Sequence, residues 1–464
     1  MLNAQQAPAN HQISGIKITQ DLLTDRAGLL PLMKYLDHTH LIDAVARPLY
    51  KYRTGKKGLR VKSVVRQTLA FFFDGTSRHL TRFDQLKADD GYRALLEIPQ
   101  QEMASSHQIK RFYSKLPRTI WSPFRRLFRQ MFATRLQKQR PQVVELFLDT
   151  MVLDNDDALS RQGCEPTYKN VKGFQPLQLS WDGMIIDAQF RGGKKNGNHG
   201  LTAFTMIKKA VKVVREILGD ETPVLVRMDG GFFDGELFWR LDLNQIGFVC
   251  TGRMSQTIKT FAKDQVHWES FSNQKQTWSY FEFGTRCQSW DRFYRAIYLK
   301  PQFDQDQMML DFARPEGVIL SNMHDNSGLF HQADPNIRAR LFRTENLIEQ
   351  HHAKGADELI HRGLKDFGFQ QLPFKKFGAN MAFYYMMVIG YNLMAWYRAD
   401  ILVPFGLVGK GSYATTIRRT TIDFAGKIVR TARNIFLKVT KATMSRLRLD
   451  ELWEQCQKAP PILS

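Results

Sequence analysis

"VLVRMDGGFFDGELF", residues 224–238, sets a short apolar run against an acid and two glycines. Val224 to Val226 has the β-branched, apolar character of a buried strand, and the run closes on Asp229. A carboxylate at the carboxyl end of a strand stands on the rim of an α/β sheet, where such domains bind their ligands. Gly230 and Gly231 carry no side chains, so a second backbone or a phosphate can come close. Asp followed by Gly is also ordinary turn chemistry, so this acid needs company before it signals catalysis.

Company lies upstream. "VVELFLD" (143–149) reads as a strand broken only by Glu145, and it delivers Asp149 to its end. "QPLQLSW" (175–181) and "IIDAQF" (185–190) read as two more strands, turned by Asp182 and Gly183. A helix over 201–218, the strand 224–229, a helix over 234–244 and a strand over 247–252 complete the run. Three antiparallel-type strands followed by alternating helix and strand predict an α/β fold with a ribonuclease-H-like mixed sheet. If its first and fourth strands are neighbours, Asp149 and Asp229 meet. Their repulsion is relieved by a hard divalent cation, Mg2+ or Mn2+, which oxygen ligands favour. Asp154, Asp156 and Asp157 compete for the first position but fall in the following loop.

Helical geometry supplies a third acid. In "GADELIHRGLKDF", Ile360, Leu364 and Phe367 form a stripe that faces a core, while Glu358, Arg362 and Lys365 share the opposite side. Glu358 with Arg362 four residues on also reads as a surface ion pair. Beside two strand-end aspartates it reads as part of a site for two metal ions, which suits phosphodiester chemistry. Lys365 and Arg362 then grip the backbone or offset transition-state charge.

Around this core the texture divides the chain. Residues 1–140 are predicted helical and DNA-binding, 141–253 form the first part of the core, 254–345 a β-rich insertion, 346–400 the second part with the third acid, and 401–464 a basic helical region. "GKIVRTARNIFLKVTKATMSRLRL" carries the helical pattern of that last part. "EMASSHQIKRFYSKL" (102–116) has Ser105 or Ser106 as N-cap and presents Lys110, Arg111 and Lys115, either as the second helix of a helix-turn-helix or as a solvated basic helix. In "PRTIWSPFRRLFRQMFATRLQKQR" (117–140) the aromatics Trp121, Phe124, Phe128 and Phe132 are expected to face the core, leaving Arg125, Arg126, Arg129, Arg135 and Arg140 to reach phosphate.

Composition agrees with a polyanionic partner. Lys and Arg number 66 against 45 Asp and Glu, a formal charge of +21 on 464 residues that are 43% hydrophobic. Cys164, Cys250, Cys287 and Cys456 are scattered, which argues against zinc or a disulfide framework and for a reducing compartment. No signal-peptide pattern opens the sequence. The apolar stretch 381–397 contains Asn392 and reads as a core helix, with Met386 and Met387 as packing. His199 reads as a loop or cap residue. No Gly-x4-Gly-Lys-Ser/Thr loop is present, so strand exchange would proceed without ATP. Aromatic blocks typical of an RNA-binding sheet are also missing.

Five ordered blocks carry a family likeness: "LFLDTMVLDNDDA", "NVKGFQPLQLSWDG", "FRGGKKNGNHG", "VLVRMDGGFFD" and "HHAKGADELIHRGLKDFGFQQLPFKKFGANMAFY". Together they resemble bacterial insertion-sequence transposases with a DDE domain, in the group with a Tyr-x2-Arg-x3-Glu-x6-Lys signature. The resemblance implies catalytic and metal-binding roles for Asp149, Asp229 and Glu358, two Mg2+ or Mn2+ ions, and the signature lysine at Lys365. It places the signature tyrosine on His351 and the arginine on Lys354, which keeps the charge but loses the bidentate fork. It further implies a homodimer acting on paired terminal inverted repeats and target DNA, in a bacterial cytoplasm at the nucleoid and without a membrane. Two alternatives remain: a metal-dependent nuclease without strand transfer, and a decayed, non-catalytic copy that acts as a repressor.

Overall fold

The computed structural model describes residues 13, 15–52, 58–157, 160–195, 197, 200–274, 276–302 and 316–462, except the side chains of residues 354, 356 and 357. His199 and part of the basic stretch near residue 55 lie outside the described residues. The strands begin with β1 (Leu22–Thr24), β2 (Val144–Thr150), β3 (Leu153–Asp154), β4 (Glu165–Pro166) and β5 (Lys172–Phe174). There follow β6 (Leu177–Trp181), β7 (Met184–Gln189), β8 (Val224–Met228), β9 (Gly247–Thr251) and β10 (Glu269–Ser272). The last five are β11 (Thr277–Thr285), β12 (Tyr294–Gln302), β13 (Gly317–Ser321), β14 (Gly426–Arg430) and β15 (Ile435–Lys438).

The central sheet runs in the order β10-β11-β12-β13-β9-β8-β2-β6-β7. Strands β2, β6 and β7 are antiparallel neighbours, whereas β8 lies parallel to β2 and β9 parallel to β8. This is the ribonuclease-H-like mixed sheet that the sequence predicts. Asp182 and Gly183 both take positive φ, 48° and 73°, and so form the tight turn between β6 and β7. Parallel pairing needs crossovers, supplied by the helices Thr202–Leu218 and Gly235–Leu243. The β-rich insertion is no separate layer: β10 to β13 form a meander whose last strand pairs with β9, extending the same sheet.

The helix Phe377–Tyr397 is buried on every side, as an all-apolar helix inside a large core should be. Its polar residues act on the sheet. Asn392 accepts from Ile185 N at 3.1 Å and donates to Ile185 O at 2.8 Å, while Tyr385 Oη accepts from Phe190 N and donates to Ala188 O, both at 3.3 Å. Phe72 meets Phe383 and Phe367, so the N-terminal helix Val61–Asp74 shares this core. One hydrophobic cluster runs from Ala27 to Cys456.

Two expectations fail. The arginines of the helix Trp121–Gln139 are not uniformly outward: Arg125 and Arg135 are buried, while Trp121 is exposed. Both Arg125 donors reach Asp187 at 2.6 Å, and Arg135 bonds Asp400 at 2.8 Å. Phe124, Phe128 and Phe132 do face the core. Each buried guanidinium is held by a carboxylate from a distant segment, which local periodicity cannot reveal. The stretch read as basic helix from Gly426 onward is helical only from Lys441. Its first half is the hairpin β14–β15, and β14 pairs with β1. Ile428, Val429, Ile435 and Phe436 give it strand character that the interleaved cations hide.

Candidate active site

Leu148 pairs with Met228 across the parallel ladder, so Asp149 and Asp229 occupy the next register position. Paired residues in a parallel ladder point to the same face, and the two carboxylates stand side by side where β8 ends. Asp229 caps the short turn Gly230–Phe232, accepting from Gly231 N at 2.9 Å. A Cβ on Gly231 would lie 2.9 Å from Asp229 Oδ1, so a side chain there would push on the carboxylate. Asp149 Oδ1 accepts from Thr150 N at 2.6 Å, and its side chain is 16% exposed.

The third sequence acid arrives on a different element. The chain around it forms two helices, Thr344–His352 and Lys354–Phe367, divided at Ala353. Ile360, Leu364 and Phe367 are buried, as the stripe predicts, and Glu358 and Arg362 are exposed. Among the described side chains of this helix, His361 faces Asp149, its Nδ1 3.4 Å from Asp149 Oδ2. Burial, with help from Lys365 and Lys169, pushes the His361 imidazole down to about 4, so it is neutral at ordinary pH. Burial and Lys169 also lower Lys365. Arg362 stacks its guanidinium over the Tyr413 ring at 5.4 Å.

A hairpin tip reports on all three acids. Tyr168, in the turn between β4 and β5, is 61% exposed. Its phenol is raised by partial burial and then by the fields of Asp149, Asp229 and Glu358 together. Among the described residues, however, no three His, Cys, Asp or Glu side chains group closely enough to hold a metal ion. Asp149 and Asp229 carry the oxygen donors that a hard divalent cation takes.

The remaining sequence candidates fall as follows. His351 Nε2 lies 3.1 Å from Thr251 Oγ1 at the end of β9. Lys354 opens the helix Lys354–Phe367, and its side chain is outside the described residues. Lys110 and Arg111 are exposed on a separate helix, Ser106–Ser114, which Ser105 and Gln108 close with a capping box. The rival acids have structural work: Asp154 accepts from Asp156 N, Asp156 from Lys172 N, and Asp157 from Gln371 Nε2, at 2.9, 3.1 and 3.1 Å. Glu145 joins Arg227 at 3.1 Å and Gln350 at 2.8 Å, fastening the helix before the break to β2 and β8.

Sequence reasoning missed His361, Tyr168 and Lys169. His361 stands three residues after Glu358 and four before Lys365, so the same helical spacing would have found it. Tyr168 and Lys169 lie in a turn whose place over the acids depends on a small sheet, β3-β5-β4, that local pattern does not specify.

Comparison with known proteins adds to this geometry. Residues 11–461 match the profile of a family described as "Transposase DDE domain group 1". A cryo-EM structure of the piggyBac transposase synaptic complex with hairpin DNA is similar at 13% identity and a TM-score of 0.40, covering 93% of this chain and 85% of that one. No curated protein matches.

Proposed function

The chain belongs to the transposase family with a DDE domain of group 1, matched over residues 11–461, and from that premise we propose that it cuts DNA at the ends of a mobile element and joins the freed 3′ ends to target DNA. Asp149, Asp229 and Glu358 are the proposed catalytic acids. The observation that carries this reading is the parallel register Leu148↔Met228, which sets Asp149 and Asp229 on the residues that follow in neighbouring strands. Two neighbouring carboxylates repel, and a divalent cation relieves the repulsion. Asp149 and Asp229 would hold Mg2+ or Mn2+, which when bound activates a nucleophilic oxygen and stabilises the leaving one.

This chain's own residues supply the rest. His361, neutral against Asp149, fixes the carboxylate without competing for the charge. Lys365 and Arg362, with His351 and Lys354 nearer the break, line the helix as grips for DNA backbone. The break at Ala353 is followed by Gly355, around which a Cβ would meet nothing within 4 Å.

The charge of +21 supports double-stranded DNA as partner. Residues 1–140, with Lys110 and Arg111 exposed, are the proposed DNA-binding region, and two copies acting on paired inverted repeats are the proposed assembly. Among the described residues no helix is long and apolar enough to cross a membrane. An insertion sequence in a bacterial nucleoid is the proposed setting.

The test mixes the protein with labelled terminal DNA and Mg2+ and compares Asp229→Ala. Metal-dependent nicking followed by joining, lost in the variant, is expected. Nicking without joining leaves only a nuclease. DNA binding without any cleavage would support the non-catalytic reading.

A further inference from the structure

The small sheet at the chain's two ends has one covered edge and one open edge. Its order is β1-β14-β15. The outer side of β1 is closed by the helix Asp90–Leu95, so tightly that a Cβ on Gly91 would lie 2.0 Å from Leu23 O. Beyond β15 no strand pairs among the described residues. Ile435 and Phe436 on β15 are 65% and 49% exposed, and with Met444 they rim an apolar groove of about 810 Å3. An open edge flanked by exposed apolar side chains is a template for another strand.

A strand of matching character stands just before β1. In "GIKITQ" (15–20), Ile16 and Ile18 alternate with Lys17 and Thr19, so both isoleucines share one face when the segment is extended. Ile16 is 100% exposed and Ile18 95%. We infer that this arm adds as a strand to the β15 edge of a second copy, with Ile16 and Ile18 packing on Ile435 and Met444, and that the exchange is reciprocal.

Reach keeps Ile18 off the open edge of its own sheet. A strand outside β15 lies three ladder spacings from β1, about 14 Å. Ile18 is four residues from Leu22, at most about 14 Å when fully extended, which leaves no chain to turn and enter a register. A second copy has no such constraint, and a two-fold exchange uses the same patch on both partners. The inference deepens the two-copy assembly proposed above and rests on it only for its purpose, since strand addition needs neither metal nor DNA.

The experiment uses the full chain without DNA in sedimentation equilibrium. The expected mass is twice the 53.8 kDa of one chain, falling to one chain's mass in Ile16→Asp/Ile18→Asp and, from the receiving side, in Ile435→Asp. Lys17→Gln, on the opposite face, is expected to leave the dimer intact. Mixing a copy carrying Ile18→Cys with one carrying Ile435→Cys should yield a disulfide between chains. A monomeric unmutated protein overturns the inference, as does a dimer that survives the isoleucine changes, or a disulfide formed within one doubly substituted chain. Substitutions that leave the mass unchanged but weaken DNA binding make the arm a DNA contact, which also overturns it. A monomer that still cuts terminal DNA sinks the arm and spares the chemistry; a dimer through the arm that never cuts does the reverse.

Discussion

Asp187 and Asp149 lie on the same sheet and have opposite fates. Asp187, on β7, is buried and gripped by both Arg125 donors at 2.6 Å, with Arg129 a further 3.8 Å away. Asp149, on β2, stands beside Asp229 and meets a neutral imidazole at 3.4 Å. The first is a finished ion pair whose partner is built into the fold. The second lies next to another carboxylate and an imidazole, the kind of surroundings in which a divalent cation is proposed to bind. Burial therefore does not separate a structural carboxylate from a functional one; the charge of its neighbours does.

The contrast can be broken most decisively at Asp229. Asp229→Ala is expected to lower Mg2+-dependent cleavage by about a thousand-fold or more, as loss of a principal catalytic group does, with the thermal unfolding of the protein nearly unchanged. Cleavage that persists would remove the functional half of the comparison.

Arg125→Ala attacks the other half. Stranding Asp187 inside the core should cost about 3–5 kcal/mol, read as a lowered urea midpoint at constant slope. Arg125→Met combined with Asp187→Leu should recover most of that loss. If the single change is harmless, the pair is not the structural clasp described here.

A smaller effect sharpens the charge argument. Asp149→Asn is expected to abolish the rise in Tm that Mg2+ gives the unmutated chain. A variant that still gains Tm from Mg2+ places the ion elsewhere.

The smallest effect concerns pH. Burial alone would raise Asp400, but Arg135 and Lys138 more than reverse it and hold the carboxyl below the usual 3.8. A lowered folded value means stability that is fully present above 3.8 and lost as pH falls through the folded value. Melting curves from pH 5 downward should show this loss, and Arg135→Met should flatten it.

Much of the central sheet was readable because its strands are continuous apolar runs ended by turn residues. Val144–Leu148 and Val224–Met228 announce themselves, and Asp182-Gly183 fixes a turn by its backbone preference alone. The aspartate pair was readable for the same reason, since strand ends and parallel neighbours follow from element order. What could not be read is set by contacts far apart in sequence. Arg125 finds Asp187, 62 residues away, and Arg135 finds Asp400, 265 residues away. Tyr168 reaches the acids through a sheet of two- and three-residue strands too short to leave a period. The break at Ala353 was hidden because "HHAKGADEL" has no proline and only one glycine, so the local signal for a helix persists across it.

The amide of Asn392 serves β7 in place of a neighbouring strand, and it comes 207 residues after Ile185 in the chain. During synthesis at roughly 5–20 residues per second, about 10–40 seconds pass between the emergence of that strand and its seal. Through that interval the nascent polypeptide displays unsatisfied amides to anything nearby, including identical chains on the same messenger. Translation speed between codons 185 and 392 is therefore a lever on yield: slowing it should favour misassembly, and a chaperone that shields the strand should restore native product.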